Sequence, residues 1–442
     1  LKISILQYFL DNPTARKVKI KLFHQNIFDF DFASIKKNIG KREVLAVGNP
    51  PWVTNSKLGM MQSNNLPIKN NFKRIKGIDA ITGKGNFDIA EYICEQMFDF
   101  LRGEHATLAF LVKNSVIKNL IYEQKRKRRL ITFFAQYNID AKEEFGASVS
   151  AALLYAQMGN EYSLQCHVQD FYSLEELKEY GWIDNNFVSD IASYKQYSYM
   201  DGKSSFTWWS GIKHDCSKVM ELSSKDGKFI NGFGQTVNIE NDLIYPLVKS
   251  SDIKKDQITT TEKYVIVTQK TTSEDTGWIR ESYPLTYKYL NEYASLLDNR
   301  KSCIYKKRSR FCLFGIGDYS FKRYKVVVSG LYKKPRFSLV GEIGGKPAML
   351  DDTCYLLGFD NYEEAYMTQK ILNSHPVQSF IRSLLFVDAK RVINKDLLMR
   401  IDLSKIVNHT IKADIGINES DLENFISYVK LNLKSTQLEL FN

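Results

Sequence analysis

The apolar run VLAVG (44–48) stops at Asn49-Pro50-Pro51-Trp52. Each proline fixes its own φ and removes a backbone donor, and the residue before each proline is pushed out of helical space. The run therefore reads as a buried, parallel strand that ends in a stiff corner. In that corner the carbonyl oxygens have no neighbouring strand to bond. Open α/β sheets bind ligands beyond the carboxyl ends of their strands, so the Asn49 amide and the Pro50 carbonyl can converge on one spot there. Trp52 supplies an aromatic cover for it.

The surroundings of the corner suit such a sheet. KVKIKLFH (17–24) alternates like a strand. Residues 87–102 place Ile89, Ile93, Met97, Phe98 and Leu101 at helical spacing. ATLAFLV (106–112) is a second buried strand, residues 116–136 read as a helix with a basic face, and VSAALLYAQ (149–157) is a further strand. Strands alternating with helices predict an α/β domain with a mainly parallel sheet over residues 1–165. Residues 166–204 read as a connector whose stretch 173–180 is acidic and helical. From 205 to 410 short strands, Gly-rich turns and interleaved aromatic and basic residues predict a second, α+β domain, with a helix over 363–386. Residues 411–442 are expected to carry a closing C-terminal helix.

Composition narrows the partner. With 442 residues there is ample chain for large cores, and 61 Lys and Arg against 50 Asp and Glu leave a charge of +11. That excess favours an anionic partner, nucleic acid before membrane. No apolar run approaches the ~18 residues a membrane span needs. The six cysteines include no Cys-x-x-Cys pair, which points away from a zinc ribbon and towards a reducing cytoplasm. His214 and Cys216 lack a partner pair at ligand spacing, so no metal is expected. Asp351-Asp352 lacks the companion residues of a nuclease centre, so cleavage of DNA is not expected. The excess is also local. Residues 300–336 hold twelve Lys and Arg and the single acid Asp318. Lys306, Lys307, Arg308, Arg310, Lys322 and Arg323 in that stretch are candidate phosphate contacts, interleaved with aromatics that can stack on bases. Arg126 and Arg128, in a second cluster at 125–129, are weaker candidates.

The corner itself suggests a reaction. The exocyclic amino group of a nucleobase is a poor nucleophile because its lone pair is delocalised into the ring. Two acceptors, the Asn49 side-chain oxygen and the Pro50 carbonyl, can each take one N–H and favour a pyramidal nitrogen. Preorganised dipoles supply most of such an effect, and Trp52 can stack on the base. The base must first leave its duplex.

These residues resemble the catalytic loop of the DNA amino-methyltransferases with an Asn/Asp-Pro-Pro-aromatic motif. The chain is most similar to the adenine-N6 enzymes of restriction–modification systems that place a target-recognition domain after the catalytic domain. Further stretches carry the likeness: HQNIF (24–28), GKGNFDIAEYICEQMFDFLRGEHATLAFLVKNSVI (83–117), EEFGASVSAALLY (143–155) and LNSHPVQSFIRSLLFVDAKRVINKDLLMRIDL (372–403). The resemblance implies a partial Rossmann-like methyltransferase domain followed by an α+β target-recognition domain, with S-adenosyl-L-methionine as methyl donor and double-stranded DNA as substrate. It implies that Asn49, Pro50, Pro51 and Trp52 form the catalytic loop and that Phe145 faces Trp52 across a flipped base. It also implies that Asn26 touches the cofactor, with Asp88 a second candidate.

The likeness has a gap. The family's Gly-rich strand–turn, and the acidic residue that follows it, have no counterpart in LKISILQYFLDNPTAR (1–16). Lys113 also stands where relatives often have Pro. The chain opens on Leu rather than Met, without a signal-peptide pattern, and is expected to begin inside a longer natural sequence. Either an upstream segment or a second polypeptide then completes the cofactor site. The competing readings are a DNA-binding remnant or specificity subunit without catalysis, and an enzyme acting on a protein glutamine amide, which the basic second domain disfavours. The chain alone is expected to bind S-adenosylmethionine weakly or not at all. Tight 1:1 binding in a calorimeter would overturn that expectation.

Overall fold

A computed structural model describes residues 7–8, 10–12, 20–40, 42–53, 88–147, 149–306, 308–387, 391–409 and 423–428. The chain divides into two compact units, Leu1–Leu177 and Lys178–Asn442.

In the first unit, α1 (Phe32–Ile39) precedes β1 (Val44–Gly48), and α2 (Ile89–Phe100) precedes β2 (Ala106–Lys113). There follow α3 (Asn114–Lys127), β3 (Ile131–Ile139), α4 (Ala141–Phe145), β4 (Ala151–Met158) and β5 (Gln165–Asp170). The strands lie in the order β1-β2-β4-β3-β5. β1 and β2 are parallel, as are β3 and β5, whereas β4 runs antiparallel to both neighbours. The sheet is therefore mixed rather than mainly parallel. The connection from β3 to β4 holds only one short helix, so the chain turns straight back beside the strand it has left.

Two local expectations fail for identifiable reasons. The helix read over 116–136 ends at Lys127, where Arg128 takes a left-handed conformation (φ 46°), and ITFFAQYNI continues as β3. Its β-branched and aromatic residues prefer a pleated surface. The strand read over 17–24 makes no ladder over its described part, 20–24; residues 17–19 lie outside the described residues. Ile20, Leu22 and Phe23 stay exposed there, because alternation alone does not make a strand without a neighbour to bond.

The core of this unit lies between sheet and helices. Ile89, Ile93, Cys94 and Phe98 of α2, Leu108 and Val112 of β2, and Ile117 and Ile121 of α3 are all buried. One carboxylate sits beside it: Glu95 accepts from both Lys127 and Arg129, and the Arg129 side chain is only 7% exposed. At the other extreme, β1 is not the buried strand that its apolar run predicts: it is the outermost strand of the sheet among the described residues, and its Leu45 and Val47 are 66% and 70% exposed.

The contact division falls inside β6 (Glu176–Ile183), which folds back on β7 (Asn186–Val188). The acidic stretch 173–180 is thus strand, not helix, over 176–180. Gly181 (φ 148°) and the turn at Asp184 (φ 50°) break a helix and suit a hairpin. Residues 178–204 also supply α5 (Ile191–Tyr197) and the buried Val188, Ile191, Tyr194 and Met200 of the main apolar cluster of this unit.

Further along come β8 (Trp209–Ser210), α6 (Ser217–Met220), β9 (Glu221–Lys225), β10 (Lys228–Asn231) and β11 (Thr236–Val237). β12 (Ile244–Val248), β13 (Gln257–Ile258) and β14 (Lys263–Ile266) follow, then β15 (Tyr324–Ser329), β16 (Phe337–Val340) and the small hairpin of β17 (Glu342–Ile343) with β18 (Lys346–Pro347). β19 (Met349–Leu350) and β20 (Cys354–Phe359) complete two sheets, ordered β11-β10-β9-β14-β12-β19 and β13-β16-β15-β20-β8. The helix read over 363–386 is two helices, α7 (Tyr362–Asn373) and α8 (His375–Leu384), because Pro376 cannot sit in a helix interior but is accommodated in the first turn of a new one. Of the expected C-terminal helix only 423–428 is described, and it is helical, with Phe425 buried in the main cluster. No helix among the described residues is long and apolar enough to cross a membrane.

Candidate active site

The corner at 49–53 follows directly from the register of β1 on β2. Gly48 pairs with Phe110, and a Cβ at Gly48 would come within 3.0 Å of the Phe110 ring, which would have to shift to admit one. Beyond it Asn49 is exposed and Pro50 is buried. Trp52 is half-buried, and its indole N–H donates to the Leu111 carbonyl at 3.1 Å. The Val53 carbonyl then accepts the Ile89 N–H at 2.9 Å. The loop is thus tied to β2 on one side and to the head of α2 on the other.

Those two supports are themselves joined. Asp88 caps α2 by accepting the Ala90 N–H on Oδ1 at 3.1 Å, and its Oδ2 accepts from Lys113 Nζ at 2.6 Å. Both side chains are largely buried, at 11% and 19% exposure. Lys113 terminates β2 two residues after Leu111. The lysine that departs from the family pattern therefore ties the strand that holds Trp52 to the helix that holds Val53.

Trp52 and Phe145 are brought together, with ring centroids 6.0 Å apart and planes at 87°. This is an edge-to-face contact, not two parallel walls. Phe145 closes α4, is 52% exposed, and is followed by Gly146 in a left-handed conformation (φ 63°). Next to that helix lies a polar cleft of about 570 Å³ lined by Asn114, Asn138, Asp140, Lys142, Ser150 and Tyr172, among others. Asn114 Oδ1 is buried there without a hydrogen-bond partner. Tyr172 donates to Glu144 at 2.7 Å, and that bond pushes its phenol up to about 12. Sequence reasoning did not single out these cleft residues. The available signal was an amide residue, Asn114, opening a helix directly after a buried strand.

The two candidate cofactor residues are engaged in local bonds. Asn26 accepts the Phe28 N–H at 3.2 Å and caps its own turn, and both Asp88 oxygens are already bonded. The described residues offer no Gly-rich turn beside β1. They do not fit the cofactor by themselves.

Four of the twelve cations of 300–336 are matched by acids of the second unit. Arg310 pairs with Asp298 at 2.9 Å, Lys322 with Asp360, Arg323 with Glu342 at 3.3 Å and Arg336 with Asp256 at 2.8 Å. Arg300 donates to the carbonyls of Leu297, His214, Cys312 and Arg310. Arg308 lies 5.9 Å from the Phe314 ring centroid, Lys306 is exposed, and Lys307 lies outside the described residues. In the first unit Arg126 pairs with Glu123 at 2.6 Å, and Arg128 lies 5.9 Å from the Tyr162 ring centroid. Exposed pairs of this kind add little stability. Their effect here is to reduce the local field. His214 and Glu221 form a pair at 3.2 Å, and Asp352 pairs with Arg391 at 2.9 Å.

No family model matches the chain. The type II methyltransferase M.NspV of Nostoc sp. is 40% identical over 408 residues, covering 91% of this chain and 83% of that protein. The chain belongs to the type II methyltransferases. Two solved structures are similar in shape. The type IIL restriction-modification enzyme MmeI, solved in complex with DNA, matches with a TM-score of 0.50 at 10% identity, over 95% of this chain and 57% of that one. The type IIG restriction endonuclease BpuSI matches with a TM-score of 0.36 at 12% identity, over 91% of this chain and 50% of that one. This type II methyltransferase thus spans little more than half of either. The MmeI likeness bears out the expected fold class, an α/β unit followed by an α+β one, although the first sheet is mixed where a mainly parallel one was expected.

Two predictions follow for this methyltransferase. Asn caps a helix as well as Asp does, so Asp88→Asn keeps the cap and loses the ion pair. With Lys113→Met it should lower turnover by about 10- to 100-fold through misplacement of the loop, with the substrate KM nearly constant. Steady-state kinetics of the complete enzyme checks this. The second concerns Lys325, one of the twelve cations of 300–336. It is 1% exposed, its Nζ donates to the Lys322 carbonyl at 2.6 Å, and burial pushes its ammonium down to about 7. Between about 7 and 10.5 the unfolded chain holds a proton at this lysine that the folded chain has released. Stability should therefore rise with pH across that window. Denaturant melts should show the rise in the wild type and a flatter profile in Lys325→Met.

Proposed function

We propose that this type II methyltransferase transfers a methyl group to the N6 amino group of an adenine in double-stranded DNA, as the modification arm of a restriction–modification system. The observation that carries the reading is the corner at 49–53, tied by Trp52 to β2 and by Val53 to α2, with Asn49 left exposed at the end of β1. S-adenosylmethionine is the donor implied by the family, and residues beyond those described here would complete its site.

The residues of this chain have three tasks. The Asn49 side-chain oxygen and the Pro50 carbonyl each accept one N–H of the amino group, which favours a pyramidal nitrogen whose lone pair is localised and free of conjugation with the ring. Because the loop is held at both sides, these acceptors need no reorganisation when the base arrives. Trp52 offers a ring face to the extruded base. Phe145 has to turn from its edge-on contact to become the second wall, and its exposure and the glycine after it permit that movement. The second unit is assigned the choice of site.

One observation favours a second reading. With Asn26 and Asp88 engaged elsewhere, the chain alone fits a DNA-binding part that methylates only when a cofactor-binding segment or polypeptide is supplied. Asn49→Ala in the complete enzyme should abolish methyl transfer to a duplex while leaving duplex binding within about twofold. Radiolabel incorporation and fluorescence anisotropy measure the two, and persistent turnover in that variant would remove Asn49 from the mechanism.

A further inference from the structure

Outside residues 300–336 the second unit also presents positive charge beside a concave surface. One face of the small sheet β10-β9-β14 carries it. The register sets Lys225 opposite Lys228, Ser223 opposite Ile230, and Lys263 opposite Ser223. Directly opposed residues share a face, and Leu222, which points the other way, is 3% exposed in the core. Lys225, Lys228 and Lys263 therefore project from one surface together with Ser223. Like charges directly opposite each other destabilise a sheet, so the Lys225–Lys228 pairing is a local cost that a bound anion would relieve.

Beside these strands the surface dips into a cleft of about 280 Å³, where Lys218, Lys249 and Lys263 meet Ser217, Ser223 and Glu221. Two of the three cleft lysines have an acid beside them. Both Glu221 oxygens are engaged, one by His214 at 3.2 Å and the other by Lys249 at 2.5 Å. Asp252 holds Lys263 at 2.7 Å. Asp226 lies in the turn between β9 and β10. Lys249 and Lys263 thus keep an acid partner each, while Lys218 lines the same cleft and Lys225 and Lys228 extend the charge along the strands. Lys218 is exposed, and its Nζ lies 5.4 Å from the centroid of the Phe233 ring, on a hairpin loop that the Gly232 N–H ties to the Lys218 carbonyl at 2.9 Å.

We propose that this lysine-lined face is a docking surface for the DNA backbone, with a phosphate entering the cleft between Lys218, Lys249 and Lys263. The inference rests on the reading of the chain as a DNA enzyme. The chemistry favours phosphate over base edges. Lysines are mobile point charges with rotatable donors, and Ser217 and Ser223 add neutral donors. The amide that could read a base, Asn231, already accepts the Phe233 and Gln235 N–H groups and donates to the Gln235 side chain. Contacts of this kind orient a duplex without reading its sequence.

The test uses the full chain and a short fluorescent duplex of arbitrary sequence, with affinity measured by anisotropy across a salt series. Each lost phosphate contact lowers the slope of log K against log salt by about 0.9. Lys218→Ala with Lys263→Ala removes two of the three lysines around that phosphate and should therefore flatten the slope by about one such step. Lys218→Arg with Lys263→Arg should restore it, and matching thermal melts exclude a folding defect. Binding by the wild type with an unchanged slope in the alanine pair overturns this site and leaves the DNA reading standing. Absence of wild-type binding even at low salt overturns the DNA reading and the docking surface with it.

Discussion

The indole N–H of Trp52 bonds the Leu111 carbonyl at the end of the neighbouring strand, and the geometry of the corner depends on that bond. A proline pair limits what its own backbone can do, but it does not say where the loop points. Direction comes from the two anchors, Leu111 for the indole and Ile89 for the Val53 carbonyl. Each anchor sits on an element packed into the core, with Leu108 and Val112 behind the first and Ile93 and Phe98 behind the second. A tryptophan whose N–H is satisfied also keeps a defined ring plane, which is what a stacking platform requires.

Charge in this protein is handled by long-range pairing. Glu95 gathers Lys127 and Arg129, and Asp201 gathers Arg400 across 199 positions of sequence. Burial pushes the Asp201 carboxyl up, but bonds from Arg400 and Tyr194 outweigh this and hold it below its usual range. Arg310, Lys322, Arg323 and Arg336 of the 300–336 stretch follow the same rule with Asp298, Asp360, Glu342 and Asp256. A local surplus in the sequence is therefore a poor guide to the surface potential, because the acids that answer it come from other strands and helices.

How much was legible follows from the same distinction between local and distant causes. The strands around 44–48, 106–112 and 149–157, the helix from 89, and the stiff corner were readable because short-range pattern and proline chemistry decide them. The strand at 131–139 was misread because the basic helix before it ran on without a proline or glycine to mark the stop. Arg128 provides that stop in a left-handed conformation, which sequence does not advertise. The antiparallel placement of β4 depends on its ladder partners. The pairing of Asp88 with Lys113, 25 residues apart, and the burial of Lys325 were invisible for the same reason. Asp88 read as a cap was sound as far as it went; its second oxygen was the part that needed three dimensions.

The bare side of β1 has a practical consequence. Leu45 and Val47 point outward from a strand whose ladder is filled on one side only among the described residues. An apolar strand border of that sort is a template for other extended chains. Polypeptide made in this form would tend to cling to itself or to chaperones at high concentration, and its yield and dispersity would then report on how well that border is covered.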